Sequence, residues 1–111
     1  MSKEIDKKKM SGLIGLAQRA GKLKSGEFST EKSIKSGRSR LCIIASDASE
    51  ATKKRFSDMC TFRKIPFMVC DLDKEELGHT AGKELRSSVS VEDAGFARSI
   101  ADLTEGGIVN E

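Results

Sequence analysis

The sequence predicts a three-layer α/β/α sandwich built on a central four-stranded mixed sheet. Two observations lead there. "LCIIAS" (41–46) and "PFMVC" (66–70) are continuous apolar runs bounded by polar residues, the pattern of strands covered on both faces. Around them, helical and strand-like segments alternate along the whole chain. Buried strands in such an order pack most economically as a sheet between two helical layers. With 111 residues, one domain spanning 1–111 is expected, with a charged lead (1–9) and a tail (104–111) at its periphery.

Taken in order, Leu13, Ile14, Leu16, Ala17 and Ala20 recur at the three- and four-residue spacing of an apolar helical face. Gly21 then sits where a left-handed C-terminal cap belongs. "KLKS" is a short strand at best, and residues 26–37 read as a second helix ended by Gly37. After the first buried strand, Ser49 is placed to cap a helix whose stripe carries Thr52, Phe56, Met59 and Cys60. Pro66 opens the next strand, where a missing N–H is tolerated. Asp73 and Glu76 have capping-box spacing at the start of "DKEELGHTAG". "SSVSV" (87–91) alternates, which predicts a strand with one wet face. "EDAGFARSIADL" closes the pattern as a helix with Phe96, Ala97, Ile100 and Leu103 apolar.

Composition removes several classes. Hydrophobic residues at 37% and charged residues at 33% suit a soluble globular chain and not a disordered one. No apolar run reaches the roughly 20 residues that cross a bilayer. "MSKEIDKKKM" lacks the apolar centre of a signal peptide, so a cytoplasmic location is expected. Cys42, Cys60 and Cys70 are odd in number and lack metal-ligand spacing, so they read as small buried hydrophobes. No cofactor or metal is implied. Catalysis finds no support either: His79 has no acid or thiol partner nearby in sequence, and no phosphate-binding glycine loop is present. The acid pairs Glu75–Glu76 and Glu92–Asp93 fall in first turns of helices, where the macrodipole accounts for them. "TEGGIVNE" reads as a fraying tail.

Charge is unevenly divided. Residues 1–64 carry 16 Lys and Arg against 7 Asp and Glu, whereas residues 65–111 carry 4 against 10. Such a split points to a polyanion-binding face. It is densest in "KLKSGEFSTEKSIKSGRSR" (22–40), where a helix beginning at Gly26 offers unpaired backbone N–H groups. Gly26, with no side chain, admits close approach of a base edge or another backbone. Lys24, Lys32 and Lys35 are placed to reach phosphates. Trp and Tyr are absent. Of the five phenylalanines, Phe56, Phe62, Phe67 and Phe96 fit core positions, which leaves Phe28 alone to stack on a base. A folded RNA recognised by shape and phosphates fits this better than an unstructured strand.

The same residues carry a resemblance. "GLAQRAGKLKSGE", with Lys32 six residues after Gly26, then "LCIIASDAS", "KIPFMVCDLDKEELGHTAG" and "DAGFA", is similar to the ribosomal L-seven-Ae family of kink-turn RNA binders. It is nearest to that family's small bacterial YlxQ-like branch, over roughly residues 10–103. The resemblance implies an α/β/α sandwich and non-enzymatic binding of structured RNA, often in ribosomes. In the family pattern a glycine opens the helix, polar residues contact the sheared G·A pairs, and a lysine follows. These positions are Gly26; Glu27, Phe28 and Ser29; and Lys32. The usual Asn-Glu pair aligns with Phe28 and Ser29 and is absent here. A second contact loop matches "KELRSS", so Lys83, Leu85, Arg86, Ser87 and Ser88 would face a flipped-out nucleotide. Asp47 matches a position beside that surface and could equally cap the helix that follows it. A monomer acting on structured RNA is the leading expectation. The alternative is a protein-interaction or assembly module that has kept the fold and lost kink-turn recognition.

Overall fold

The computed structural model describes residues 2–103, with side chains from Lys7 onward. The elements run α1 (Ser2–Arg19), β1 (Leu23–Ser25), α2 (Glu27–Lys35), β2 (Leu41–Ile44), α3 (Glu50–Arg63), β3 (Phe67–Val69), α4 (Lys74–Thr80), β4 (Ser88–Val91) and α5 (Ala94–Ala101). The charged lead forms the first turns of α1, and Met10 already packs into the core. The tail 104–111 lies outside the described residues.

The caps anticipated from the sequence are present. Gly21 takes φ 75° after α1, the Ser49 hydroxyl accepts from the Thr52 amide, and Asp73 with Glu76 forms a reciprocal capping box. Each side chain satisfies a first-turn N–H that the helix itself cannot pair.

The four strands form one mixed sheet in the order β1-β4-β2-β3. β4 pairs antiparallel with β1 and β2, and β2 runs parallel to β3. The register sorts side chains by face. Leu23, Val91 and Leu41 stand in one row, Lys24, Ser90 and Cys42 in the next. The first face joins Ile43, Val89 and Met68 to Ile14 of α1, Leu77 of α4 and Ile100 of α5 in the larger core. The second meets α2 and α3 through Ile34, Ile44, Phe56, Cys60 and Phe67.

Three expectations change. β4 has no wet face: all four residues are buried, because the strand lies inside the sheet and α2 covers its serine side. The Ser88 hydroxyl bonds Thr30 at 3.3 Å. Those of Ser39, Ser90 and Ser33 stand 2.7 Å apart in a chain that ends with Ser33 donating to Glu92 at 2.6 Å. Alternation alone cannot distinguish polar groups facing water from polar groups facing a polar helix, and here the helix supplies the partners. Glu92 therefore has a specific acceptor role in place of the first-turn role expected for it, while Asp93 caps α5. Phe62, expected in the core, is 82% exposed near the end of α3. The three cysteines are buried thiols, and burial pushes the Cys70 pKa up to about 11.

Candidate nucleic-acid interface

The start of α2 is built from β1 and closed by β4. Ser25 ends the edge strand, and the Gly26 amide donates to the Ser88 carbonyl at 2.9 Å. Gly26 then turns the chain into the helix at φ 95°, ψ 155°, a region essentially restricted to glycine. No side chain caps this end. Replacing Gly26 with alanine should cost about 1–3 kcal/mol. Chemical unfolding of the variant checks this, and an unchanged midpoint would contradict the strain.

Three other segments converge on this end. The Ala45 amide donates to Ser87 O, and the Arg86 amide to Lys74 O. Asp47 accepts from the Lys74 amide at 2.9 Å. Asp47 thus holds a first-turn amide of α4, whose cap is Asp73, and the expectation that it caps the helix following it is corrected, since Ser49 does that. The turn after β2, the start of α4 and the 84–88 loop are therefore hydrogen-bonded to one another beside α2.

The residues singled out from the sequence divide accordingly. Phe28 is 80% and Leu85 60% exposed, two apolar groups presented to solvent at one end of the fold. Lys24, Lys32, Lys35 and Lys83 are exposed, while Ser29, Arg86 and Ser87 are half-buried. Ser88 is fully buried and pairs inward, so its side chain is not a contact, contrary to expectation; only its carbonyl helps, by holding Gly26. The open side of Gly26 faces the Arg86 stem, with Nε 3.5 Å from where a Cβ would stand. Arg86 donates through Nη1 to the Leu85 carbonyl, but its buried Nε has no acceptor among the described residues.

Arg55, on α3, was not singled out from the sequence. It forms ion pairs with Glu27 and Glu31, and Glu27 also accepts from the Ser87 hydroxyl at 3.2 Å. Lys35 also pairs with Glu31 at 2.7 Å, and the ammonium with the nearby guanidinium holds the Glu31 carboxyl below its usual pKa. Arg55 thereby offsets both acids of α2. Its position 28 residues away from Glu27 leaves no local sequence signal for this. The end is of mixed sign: Lys24, Lys32, Lys74, Lys83 and Arg86 stand with Glu27, Asp47 and Glu84, of which Glu27 is paired to Arg55.

Among the described residues no cluster of His, Cys, Asp and Glu could hold a metal ion. No described helix is long and apolar enough to cross a membrane.

The family model described as "Ribosomal protein L7Ae/L30e/S12e/Gadd45 family" matches residues 8–101. The RNA-binding protein YlxQ of Bacillus subtilis (strain 168) is 39% identical over 93 residues, covering 84% of this chain and 92% of that protein. The large ribosomal subunit protein eL8 of Thermoplasma volcanium is 33% identical over 84 residues, covering 75% and 69%. A solved structure of a protein of unknown function from Bacillus halodurans C superposes with a TM-score of 0.80 at 40% identity, covering 86% of this chain and 95% of the other.

Proposed function

The chain belongs to the ribosomal protein L7Ae/L30e/S12e/Gadd45 family, and from that membership we propose that it binds structured RNA without catalysis, in association with the ribosome. The observation that carries this reading is the uncapped start of α2, seated against the 84–88 loop with Phe28 and Leu85 exposed and cations nearby. Amides at a helix start favour phosphate oxygens. Lys24 and Lys32 extend that preference along the backbone of the RNA, and Arg86 adds a guanidinium beside Gly26. The names of the relatives, an RNA-binding protein and a ribosomal protein, support the same reading.

The finer version is recognition of a kink-turn. Gly26, Glu27 and Lys32 keep the pattern, and Phe28 and Ser29 replace the pair that would hydrogen-bond the G·A edges. A ring and a short hydroxyl shift recognition from paired hydrogen bonds towards stacking. Titration of a kink-turn RNA and an unkinked duplex at several salt concentrations tests this. Preference for the kinked RNA is expected, and equal affinity for both would leave only general RNA binding. Lys32→Ala should weaken binding several-fold and reduce the slope of log K against log salt by about 0.9, the loss of one phosphate contact. An unchanged slope removes Lys32 from the interface.

The exposure of Phe28 and Leu85 also favours a second reading, a protein-docking module on this fold. Partners that co-purify after nuclease treatment would support it, and partners lost on that treatment support RNA.

A further inference from the structure

A groove of about 930 Å³ opens at the other end of α2, where the C-terminal ends of α2 and α3 face α5. Its lining includes five cations, Lys35, Arg40, Arg63, Lys64 and Arg98, with Asp102 as the acid. Lys35 pairs with Glu31 and Arg63 donates to the Lys35 carbonyl, whereas Arg40, Lys64 and Arg98 make no ion pair among the described residues. Phe62 stands at the groove with 82% of its surface in solvent, and the Arg63 guanidinium lies 6.0 Å from its ring centre. α5 contributes the small side chains of Ala94, Ala97 and Ala101 to the wall beside Arg98.

Two features connect this groove to the first site. A smaller groove of about 470 Å³ runs along α2 past Phe28, Lys32 and Glu31, the last paired to Lys35 and Arg55, and shares Lys35 and Ser36 with the large one. The nine residues of α2 span about 13 Å, so the two grooves lie a short distance apart along one helix. The second feature is Lys64, which ends α3 in the left-handed conformation at φ 60°. Glycine fits that conformation without the steric cost a side chain incurs. A lysine there instead adds a cation to the lining of the groove.

The geometry points to a second RNA contact: a single-stranded segment flanking the folded element follows α2 from Phe28 past Lys32 and enters the groove, its phosphates on Arg40, Lys64 and Arg98 and a base on Phe62. Cations along a groove with an exposed ring are how single strands are held without sequence preference. An acidic peptide would use the same charges but gives the Phe62–Arg63 pair no comparable role. The inference rests on the reading that RNA binds at the start of α2, and the experiment separates the two.

A folded RNA element is titrated bare and with a single-stranded uridine extension of about eight nucleotides, within the footprint of known single-strand grooves. With the wild-type protein the extension should tighten binding about tenfold at low salt, a gain within the range of one stacked base. Arg40→Glu with Arg98→Glu should abolish that gain while leaving the bare element bound as before. The salt slope for the extended RNA should fall by about 1.4, two single-strand contacts. Phe62→Ala should reduce the gain at an unchanged slope. Lys64→Gly should lose part of the gain while its Tm holds or rises, a divergence that a merely structural lysine would not give. If the bare element binds and the extension adds nothing, the groove contact is overturned and the first site stands. If the bare element fails to bind but free oligouridine binds and is lost in the groove variants, the groove stands and the first site falls. Groove variants that lose a polyglutamate peptide yet bind extended RNA normally would overturn the inference in favour of an acidic protein partner.

Discussion

Replacing Gly78 with alanine is expected to destabilise the protein by about 2 kcal/mol or more and to weaken RNA binding with it. A Cβ at this position in α4 would stand 2.6 Å from the Glu84 carbonyl carbon and 2.9 Å from the Leu85 amide nitrogen. These are backbone atoms, so no rotamer change clears them. The Lys83 amide holds the chain close by donating to the Gly78 carbonyl at 2.7 Å. Overpacking of a well-packed interior costs about 1–3 kcal/mol, and a collision with fixed backbone belongs at the top of that range. Alanine returns about 1 kcal/mol of helix propensity. The clash wins. Thermal unfolding should show a Tm lower by roughly 8 °C. Because the displaced segment carries Leu85 and Arg86, affinity for RNA should fall further than the loss of folded protein explains. A variant with unchanged Tm would show that α4 and the loop can separate freely.

Phe56→Ala should cost more, about 3–5 kcal/mol. Its ring is completely buried between α3 and the sheet, among Ile34, Ile44, Cys60 and Phe67, and with Phe67 is one of the two largest side chains of that smaller core. Few other groups can collapse into the vacancy, because this side of the sheet is partly serine. The Arg55 guanidinium lies 4.8 Å from the ring centre, so truncation also loosens the cation that pairs with Glu27 and Glu31. Urea unfolding should show a lower midpoint with a similar slope. A loss under 1 kcal/mol would mean that the core refills.

The residues that made the fold legible were those whose local chemistry has one reading. "LCIIAS" and "PFMVC" became β2 and β3, Asp73 and Glu76 closed their box, and Ser49 capped α3. What stayed hidden depended on partners distant in sequence. Ser88 and Ser90 looked wet because Thr30 and Ser33, 58 and 57 residues away, could not be seen facing them. Phe62 looked buried because the helical stripe does not say where the sheet beneath it ends. At the candidate site, Gly26 and its helix start are legible from glycine and charge alone, whereas Arg55 and the Gly78 packing are not. Each of those is a distance between segments, and local spacing carries no information about it.

The hydroxyl contacts beneath α2 bear on how this surface could diversify. Only Ile34 among its long apolar side chains is buried, and the helix is keyed to β4 by Thr30 and Ser33. Little of the protein's folding free energy therefore depends on the outward residues of α2, which are free to drift as long as the keyed pair remains. An ancestor could trade one ligand vocabulary for another at Phe28 and Ser29 without endangering the scaffold that displays them.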